Sequence, residues 1–376
     1  MRTGTDFIVV GGGIAGASIA YWLAPHGKVV VLERETQPGY HSTGRSAALL
    51  IESRGSAVIR ALTKASRRLL ERPPPEFGEH PLLTPRGAMV VAGEGERALL
   101  DAHWALVESI GAPARRLDGA RTLAEVPVLR PEKAVAAVLE TDVFDMDVHA
   151  IHQGYLRGMR RAGGELVCNA EVTGIGRSGG DWLVQAAGTE FRAPVVVNAA
   201  GAWADELARL AGVCPVGLQP RRRSAFLFAP PPETGCRDWP MTFDVRGTWY
   251  FKPDAGMLLA SPVNADPVPP HDVQPEELDI ALGIHRIEEA TTLTVRRPAR
   301  TWAGLRSFVA DEDLVGGFDP QAPGFFWMAG HGGSGIKTSA AFGEACAALA
   351  RGVTIPAHIA DLGLDAAALS PGRLRA

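Results

Sequence analysis

The chain has few cysteines and no grouping of them that suggests chemistry. Its four cysteines, Cys168, Cys214, Cys236 and Cys346, are scattered, with no Cys-x-x-Cys motif and no Cys/His cluster at metal-ligand spacing. We therefore expect no metal site. Reduced, buried thiols are the expected state of these residues, which suits a cytoplasmic protein.

Long apolar runs and strong charge of either sign are also missing. A membrane-spanning helix needs roughly 18 or more apolar residues, and no stretch approaches that length, so we expect no transmembrane segment. The first predicted strand begins near residue 6, which leaves no room for a signal peptide. A net charge of −4 favours neither nucleic acid nor an anionic membrane as a partner.

The strongest positive pattern lies in the first forty residues. Four apolar residues lead into Gly-x-Gly-x-x-Gly at Gly11, Gly13 and Gly16, followed by helix formers and a second apolar run that ends at Glu33. This order predicts a βαβ unit whose turn and helix N-terminus bind a pyrophosphate. The Glu33 carboxylate is expected to accept hydrogen bonds from a ribose diol and to repel a 2′-phosphate, which disfavours NADP.

The loop that follows is polar and rich in small residues, so a planar ligand can lie against its backbone. Ser42, Thr43, Arg45 and Ser46 offer hydroxyl and guanidinium donors for phosphates. A surface loop with incidental hydroxyls is the alternative interpretation.

Two later stretches predict further strands of the same sheet. The runs at 194–203 and 324–335 are apolar, end in small residues and lead into helices, as strands do where a doubly wound sheet binds its ligand. The nucleotide-binding domain is therefore discontinuous. The second helix N-terminus can stabilise negative charge on a bound ring, and His331 beside it is a catalytic base, a ligand or a packed histidine.

The remaining chain predicts antiparallel strands, including 219–228 and a hairpin at 248–260. Alternation places Trp249 and Phe251 on one face of the hairpin and Tyr250 and Lys252 on the other. By themselves, Tyr250 is an ordinary sheet tyrosine or a site residue, and Arg306 is a sheet-edge ion pair or a ligand.

With Asn198-Ala-Ala-Gly-Ala-Trp203 and Gly304-Leu-Arg306 added to the two glycine-rich turns and Glu33, the chain resembles the D-amino-acid oxidase/glycine oxidase (DAO) family of FAD-dependent oxidoreductases over nearly its whole length. Within that family, the runs 37–48, 80–83, 222–226, 252–259 and 301–311 are most similar to those of bacterial D-arginine dehydrogenases. The resemblance implies an α/β fold with a discontinuous Rossmann-like FAD-binding domain (1–50, 145–212 and 300–376). It also implies an α+β substrate-binding domain built on a mainly antiparallel sheet (51–144 and 213–299).

The resemblance also implies roles for individual residues. Arg306 would clamp an amino-acid carboxylate bidentately, Tyr250 would donate a further hydrogen bond, Arg223 would take a third pocket position, and His331 would lie along the flavin. No cysteine falls in the region 306–313, where one branch of the family attaches its flavin, so we expect non-covalent FAD. The expected cofactor-binding residues are Gly11, Gly13, Ile14, Ala15, Gly16, Glu33, Arg34, Ser42, Thr43, Arg45, Ser46, Ala47, Ala48, Val172, Ala200, Gly201, Trp203, Gly332, Gly333, Gly335, Ile336, Lys337 and Thr338.

Substrate choice is expected to depend on Leu49, Ile51, Arg54, Ala88 and Ser334, where the chain departs from its arginine-specific relatives. Those relatives have an acid at the position of Ala88, and without it a cationic side chain would be buried unpaired. We therefore expect oxidative deamination of a D-amino acid with a neutral or apolar side chain, through an imino acid, to a 2-oxo acid and ammonia. Glu52 and Arg54 reintroduce charge if their loop curls inward.

The electron acceptor is a quinone, another carrier or oxygen. Leu258 matches the position of a lysine that assists oxygen chemistry in the sarcosine-oxidase branch, which favours a dehydrogenase. Three other functions stay open. They are oxidation of another α-substituted acid (a 2-hydroxy acid, an N-alkyl glycine or a cyclic imino acid), a nicotinamide-dependent Rossmann enzyme, and a non-catalytic flavin-binding subunit.

Overall fold

The computed structural model describes residues 2–231 and 234–375. Its strands are β1 (Arg2–Gly4), β2 (Phe7–Val10), β3 (Val29–Leu32), β4 (Leu49–Leu50), β5 (Leu83–Pro85), β6 (Ala88–Ala92), β7 (Ala114–Asp118), β8 (Ala136–Glu140), β9 (Phe144–Met146), β10 (Glu165–Val167), β11 (Val172–Ser178), β12 (Asp181–Ala186), β13 (Thr189–Ala193), β14 (Val195–Asn198), β15 (Gln219–Phe228), β16 (Met241–Asp244), β17 (Tyr250–Asp254), β18 (Met257–Ser261), β19 (Asp266–Pro267), β20 (Arg300–Phe308), β21 (Val315–Phe318) and β22 (Phe325–Ala329). Its helices are α1 (Ile14–Leu23), α2 (Ala57–Glu71), α3 (Arg97–Ser109), α4 (Gly119–Glu125), α5 (Val148–Arg161), α6 (Ala204–Leu210), α7 (Glu277–Ala290), α8 (Gly335–Ala350), α9 (Ala357–Ala360) and α10 (Ala366–Leu369).

A parallel sheet carries the glycine-rich turns. Its strand order is β10-β3-β2-β14-β22-β21, and every pair is parallel except β21 with β22. Strands β2 and β3 are buried along their whole length, because α1, α5 and α8 cover one face while α6 and the small sheet β1-β13-β12-β11 cover the other. Continuous apolar runs are typical of parallel strands covered on both faces.

A large, mainly antiparallel sheet forms the second layer. Its order is β19-β15-β18-β17-β16-β6-β8-β7, with β20 paired to β15, and β16 with β6 is its one parallel pair among the described residues. Alternation along β17 agrees with the sequence: Trp249 and Phe251 enter one core cluster, whereas Tyr250 enters another on the opposite face. The expected mixed α/β class is confirmed.

Two elements lie elsewhere than the expected domain boundaries imply. Strand β20 begins at residue 300, the expected start of a FAD-binding segment, but it pairs with β15 from Arg300 to Phe308 and so belongs to the large sheet. Helix α2, expected in the substrate domain, packs with α8 in the core of the nucleotide-binding layer. Local sequence pattern does not specify either partner.

The cysteines and helices bear on two other expectations. All four cysteines are free thiols; Cys236 and Cys346 are buried, but Cys214 is exposed. Within residues 2–231 and 234–375, no helix is both long enough and apolar enough to cross a membrane.

Candidate active site

The first glycine-rich turn joins β2 to α1 and has little space for side chains. Gly11 has φ +107°, in the left-handed region that glycine adopts without strain, and a Cβ there would collide with the carbonyl oxygen of Ala199. A Cβ on Gly16 would collide with the carbonyl oxygen of Gly11. Helix α1 therefore begins against the strand ends, which gives a ligand close access to its first N–H groups.

Glu33 follows β3 and is held by the backbone of two neighbouring turns. Its Oε2 accepts the N–H of Gly12 at 2.8 Å, and its Oε1 accepts the N–H of Glu35 at 2.9 Å. Each carboxylate oxygen keeps a further lone pair. The side chain is buried yet lines the cleft beside the turn, which is the position expected for a ribose-binding acid.

His152 supports the same turn, and the sequence reasoning missed it. Its Nε2 lies 2.8 Å from the carbonyl oxygen of Gly12, so the ring donates there, and a Cβ on Gly39 would lie 3.1 Å from its Cε1. Burial lowers the pKa of His152, which favours the neutral ring. A histidine inside a predicted amphipathic helix gives no sequence signal for this role.

A cleft of about 390 Å³, here called the nucleotide cleft, extends from the turn across the strand ends. Its walls include the expected Val172, Ala200, Gly201 and Trp203, together with Tyr40, His41, Glu171 and Glu206, which were not expected. The Arg34 guanidinium carbon lies 3.9 Å from the centre of the Trp203 ring. The structure thus brings the carboxyl ends of β2 and β14 together around one cleft.

The loop 42–48 contacts the cleft, but most of its polar side chains already form hydrogen bonds with other residues of the protein. Thr43 Oγ1 accepts the N–H of Ile14 at 3.0 Å, Ser42 Oγ donates to the carbonyl of Leu305, and Ser46 Oγ accepts the N–H of Ala48. The Arg45 guanidinium, expected to offer donors to a phosphate, already has partners on other elements. It donates to the carbonyl oxygens of Val273 and Ala303 and pairs with Asp272, which ties this loop to β20.

A second space of about 110 Å³, here called the arginine cavity, adjoins the nucleotide cleft at Ser42 and Thr43, which line both. It lies between the end of the parallel sheet and the large sheet. Its lining includes Ile14, Ala47, Arg223, Tyr250, Trp302, Arg306, His331, Gly332, Gly333, Gly335 and Ile336. Trp302 was not expected; its indole Nε1 donates to the carbonyl of Arg45 at 3.1 Å.

The arginine cavity is strongly cationic. No carboxylate is among its lining residues, and within the described chain neither the Arg306 guanidinium nor the Tyr250 hydroxyl forms a hydrogen bond. Arg223 uses Nε to donate to the carbonyl of Asn264 at 2.5 Å. Burial, together with the nearby Arg306 charge, lowers the pKa of Arg223 to about 9. Unpaired, desolvated cations of this kind favour an anionic ligand.

The second glycine-rich turn, between β22 and α8, forms the cavity wall that faces Arg306. Gly332 has φ +50°, and a Cβ there would collide with the ring of Phe308. A Cβ on Gly333 would lie only 3.0 Å from Arg306 Nη1. Glycine at these positions therefore lets the guanidinium approach the N-terminus of a long helix.

His331 lines the cavity with part of its surface, but its ring is packed. Its Nε2 is fully buried without a hydrogen-bond partner in the described part of the chain, and the ring lies edge-on to Phe342 at 5.2 Å. Burial lowers the pKa of His331 to about 4. Of the three alternatives, the structure agrees with a packed, neutral histidine and does not place the ring as a base.

None of the five residues expected to govern substrate choice, Leu49, Ile51, Arg54, Ala88 and Ser334, is among the residues that line the two cavities. Ile51 and Ala88 are buried in a cluster with Val143, because their loop and strand pack beneath the cavity. Ser334 precedes α8 without lining the arginine cavity, and Thr338 Oγ1 donates to the Ser334 carbonyl.

Lys337 also differs from expectation. Its Nζ donates to the carbonyls of Ile51 and Arg54 at 3.1 and 2.7 Å, so its side chain supports a loop and does not contact a ligand. Burial and the nearby Arg54 lower the pKa of Lys337 to about 7.

Leu258 does not lie beside the cavity either. It is fully buried with Phe251 on the face of the large sheet opposite to Tyr250. The argument that a leucine here replaces an oxygen-activating lysine is therefore wrong, since a side chain at residue 258 points into the core.

Two glycine-rich helix starts, a buried acid after β3 and a cationic cavity that adjoins the nucleotide cleft together fit an enzyme with a dinucleotide cofactor. A family model described as FAD dependent oxidoreductase (DAO) matches residues 6–349. The chain belongs to this family and uses FAD. The turn at Gly11 and Gly16, too tight for any side chain, and the adjoining groove fit this cofactor.

The curated relatives are distant in sequence. The chain is 24% identical to FAD-dependent oxidoreductase domain-containing protein 1 of Bos taurus, with 91% of this chain and 80% of that protein covered. It is 27% identical to mitochondrial sarcosine dehydrogenase of Homo sapiens over 90% of this chain, but it spans only 39% of that protein's length.

Solved structures share the fold over almost the whole chain. L-proline dehydrogenase from P. horikoshii superposes with a TM-score of 0.83 at 21% identity, covering 95% of this chain and 96% of that one. Glycine oxidase from Geobacillus kaustophilus gives a TM-score of 0.80 at 24% identity, covering 93% and 95%.

Proposed function

We propose that the protein oxidises the Cα–N bond of an α-amino acid whose carboxylate binds in the arginine cavity. The observation that carries this proposal is the pair of arginines, Arg306 and Arg223, which line the cavity together with Tyr250 and without any acid. The names of its relatives, sarcosine dehydrogenase and glycine oxidase, support a substrate of the amino-acid type.

Each lining residue has a distinct task in this proposal. The free Arg306 fork takes the carboxylate through two parallel hydrogen bonds, and the unpaired Tyr250 hydroxyl donates a third. Arg223 adds charge, since Asn264 occupies only its Nε. Trp302 and Ala47 supply apolar walls that exclude water near the substrate Cα. Together they hold one Cα hydrogen towards the N-terminus of α8.

When bound, FAD supplies the two-electron acceptor that no side chain can provide. The net change is an α-amino acid plus water and an oxidised acceptor giving a 2-oxo acid, ammonia and a reduced acceptor, with an imino acid as the released intermediate. The amine must be neutral to react. We assign no side-chain base, because His331 is packed with its Nε2 enclosed.

The substrate's side chain should not be cationic. Arg223 and Arg306 line the arginine cavity, and no acid lines it that could pair a basic group. Leu49 packs with Tyr250 and Trp302 in one apolar cluster and suits the first carbons of a side chain. A neutral or an anionic side chain on a D-amino acid is thus the candidate, and D-arginine is disfavoured.

FAD is proposed to bind without a covalent link. The electron acceptor is proposed to be a quinone or another carrier, with oxygen as the alternative. The dehydrogenase name of the human relative supports the first and the oxidase name of the structural neighbour supports the second. We also propose a cytoplasmic location, in keeping with cysteines that form no disulfide in the described residues.

A second candidate substrate is an N-alkyl glycine or a cyclic imino acid. Both carry the same carboxylate, and the relatives named for sarcosine and L-proline support this class. The clamp residues would act identically.

Anaerobic flavin reduction tests both candidates. Purified holoprotein is mixed with D- and L-amino acids, sarcosine, proline and 2-hydroxy acids while the flavin absorbance is recorded. Rapid bleaching by a D-amino acid with a neutral or anionic side chain, far slower with D-arginine, supports the proposal. Failure of every amine to bleach the flavin, or bleaching only by 2-hydroxy acids, refutes it.

A further inference from the structure

Arg54 is a partly buried cation that no part of the mechanism uses. It lies on the loop between β4 and α2, and its Nε and Nη2 are fully buried with no hydrogen-bond partner in the described residues. A buried guanidinium normally has acceptors for its donors, because desolvating an unpaired charge is costly. Burial accordingly lowers the pKa of Arg54.

The acids nearest to Arg54 are engaged by other groups. Glu140 Oε1 accepts the Ser53 hydroxyl at 2.8 Å, and both oxygens of Asp244 accept donors from the turn at Thr248. Their charges act on Arg54 without hydrogen bonding to it. Lys337, which lies against the same loop, adds a second buried cation. Local groups thus leave the guanidinium donors free.

The loop holds Arg54 in place. Lys337 Nζ donates to its carbonyl oxygen at 2.7 Å, and Ser53 is tied to Glu140 on one side of it. Glu52 pairs with Arg67 of α2 at 3.3 Å. Three side-chain contacts from different elements therefore fix the backbone from which the guanidinium extends.

Ring contacts connect Arg54 to the clamp tyrosine, although Arg54 is not among the residues that line the arginine cavity. Its guanidinium carbon lies 4.7 Å from the centre of the Phe243 ring, and that ring lies 5.8 Å from the ring of Tyr250. The guanidinium is no farther from the clamp tyrosine than the sum of these distances. Leu49 packs against both Phe243 and the cluster containing Tyr250, so the space between is apolar.

We propose that Arg54 binds an acidic group at the far end of the substrate's side chain, so that the preferred substrate is an α-amino acid with a second carboxylate. This inference rests on the proposed function, because it needs the first carboxylate in the arginine cavity. It narrows the choice between neutral and anionic side chains to the anionic one.

The proposed substrate is a short dicarboxylic amino acid. Two or three carbon–carbon bonds of about 1.5 Å each carry the carbon of its terminal carboxylate roughly 2.5 to 4 Å from Cα. The apolar methylenes would contact Leu49 and Phe243, while the carboxylate would accept the donors of Arg54 in the planar geometry that a guanidinium offers. The second carboxylate of such a substrate would supply the hydrogen-bond acceptor that Nε and Nη2 of Arg54 lack among the described residues.

The test compares acids with neutral isosteres. Anaerobic stopped-flow reduction of the wild-type holoprotein is measured with D-glutamate, D-aspartate, D-glutamine and D-norvaline and with their L-enantiomers. The same series is run with Arg54→Met, Arg54→Lys and, as a control that removes an exposed cation, Arg246→Met. A titration with glutarate and with butyrate, followed by the flavin spectrum, measures binding without turnover.

We expect the wild type to favour D-glutamate or D-aspartate over the neutral isosteres by about 10-fold or more, and Arg54→Met to remove that preference, a 10- to 100-fold loss typical of a charge-assisted bond. Arg54→Lys should restore part of it, and D-norvaline should change little. Glutarate should bind more weakly to Arg54→Met, while butyrate should not.

Equal or better reduction of the wild type by neutral isosteres would overturn the inference while leaving the proposed function intact. So would an equal loss for acids and neutral substrates in Arg54→Met. If Arg54→Met fails to retain flavin, the wild-type series and Arg54→Lys decide alone. Reduction by no amino acid at all would instead refute the proposed function.

Discussion

Replacing Arg306 by methionine tests the carboxylate clamp. Charge-assisted hydrogen bonds contribute about 1.5–3 kcal/mol each, and the free Arg306 fork can form two of them with a carboxylate. Because Arg223 and Tyr250 remain, we expect a loss of roughly 3 kcal/mol, which is about a 150-fold rise in the substrate Kd. FAD content should stay unchanged, since Arg306 lies beyond the nucleotide cleft.

The pH dependence of substrate affinity in the same variant tests the clamp in a second, independent way. Burial and the charge of Arg306 lower the pKa of Arg223. At alkaline pH part of the Arg223 population therefore loses its proton, so substrate affinity should fall. Without Arg306 the repulsion is gone and the pKa of Arg223 rises, so the alkaline fall in affinity should move to higher pH.

Anaerobic stopped-flow mixing between pH 7 and 10.5 measures both quantities, since Kd and the limiting reduction rate separate in that experiment. Arg221→Met is the matched control: Arg221 lies directly opposite Arg306 in the strand pair, but its guanidinium contacts Phe308 and Glu312 near the surface. A Kd for Arg306→Met within threefold of the wild type, or an alkaline limb that does not move, would refute the reasoning.

Three further predictions concern the cofactor turn and the packed histidine. Gly16→Ala places a Cβ against the Gly11 carbonyl and should yield protein largely free of FAD. The control Gly176→Ala, at a position with open space around it, should bind FAD normally. Flavin absorbance after desalting measures the FAD content of both variants. Glu33→Ala removes the acceptor of two backbone N–H groups and should weaken FAD binding about 10-fold or more, as fluorescence titration of the apoprotein would show. The pKa of His331 is about 4 in the folded protein, against about 6.5 in the unfolded chain. Between those values the unfolded state binds more protons, so the free energy of unfolding should fall by up to roughly 3 kcal/mol as pH drops through that window. Urea unfolding at pH 7 and pH 5 should show about 2 kcal/mol of this loss in the wild type and less in His331→Phe. Flavin reduction at pH 8 that changes more than tenfold in that variant would contradict the packed role.

The parts of the site made by backbone were the most predictable from sequence. The turn at Gly11 to Gly16 has a local pattern, because a strand, a tight turn and a helix follow each other directly in the chain. Tyr250 was placed on the correct face by alternation alone, since the side-chain period of a strand is fixed. The nearness of Arg306 to Tyr250 came only from the family resemblance.

The failures concern side chains whose direction depends on distant partners. The Lys337 amine donates to carbonyl groups 283 and 286 residues away, and Arg45 is held by Val273 and Ala303. Such contacts leave no local pattern. Leu258 shows the related error of placing a residue beside the flavin by match alone, although the pleat of β18 points it into the core.

The most direct test of the central claim is the carboxylate requirement of flavin reduction. The wild-type holoprotein is mixed anaerobically with the best amino acid of the panel, with its α-amide and with the amine that lacks the carboxylate. The account predicts full bleaching by the amino acid, with one 2-oxo acid and one ammonia released per flavin, and reduction at least 100-fold slower by the other two. Comparable rates for all three compounds would contradict it, because the arginine cavity would then not be a carboxylate site.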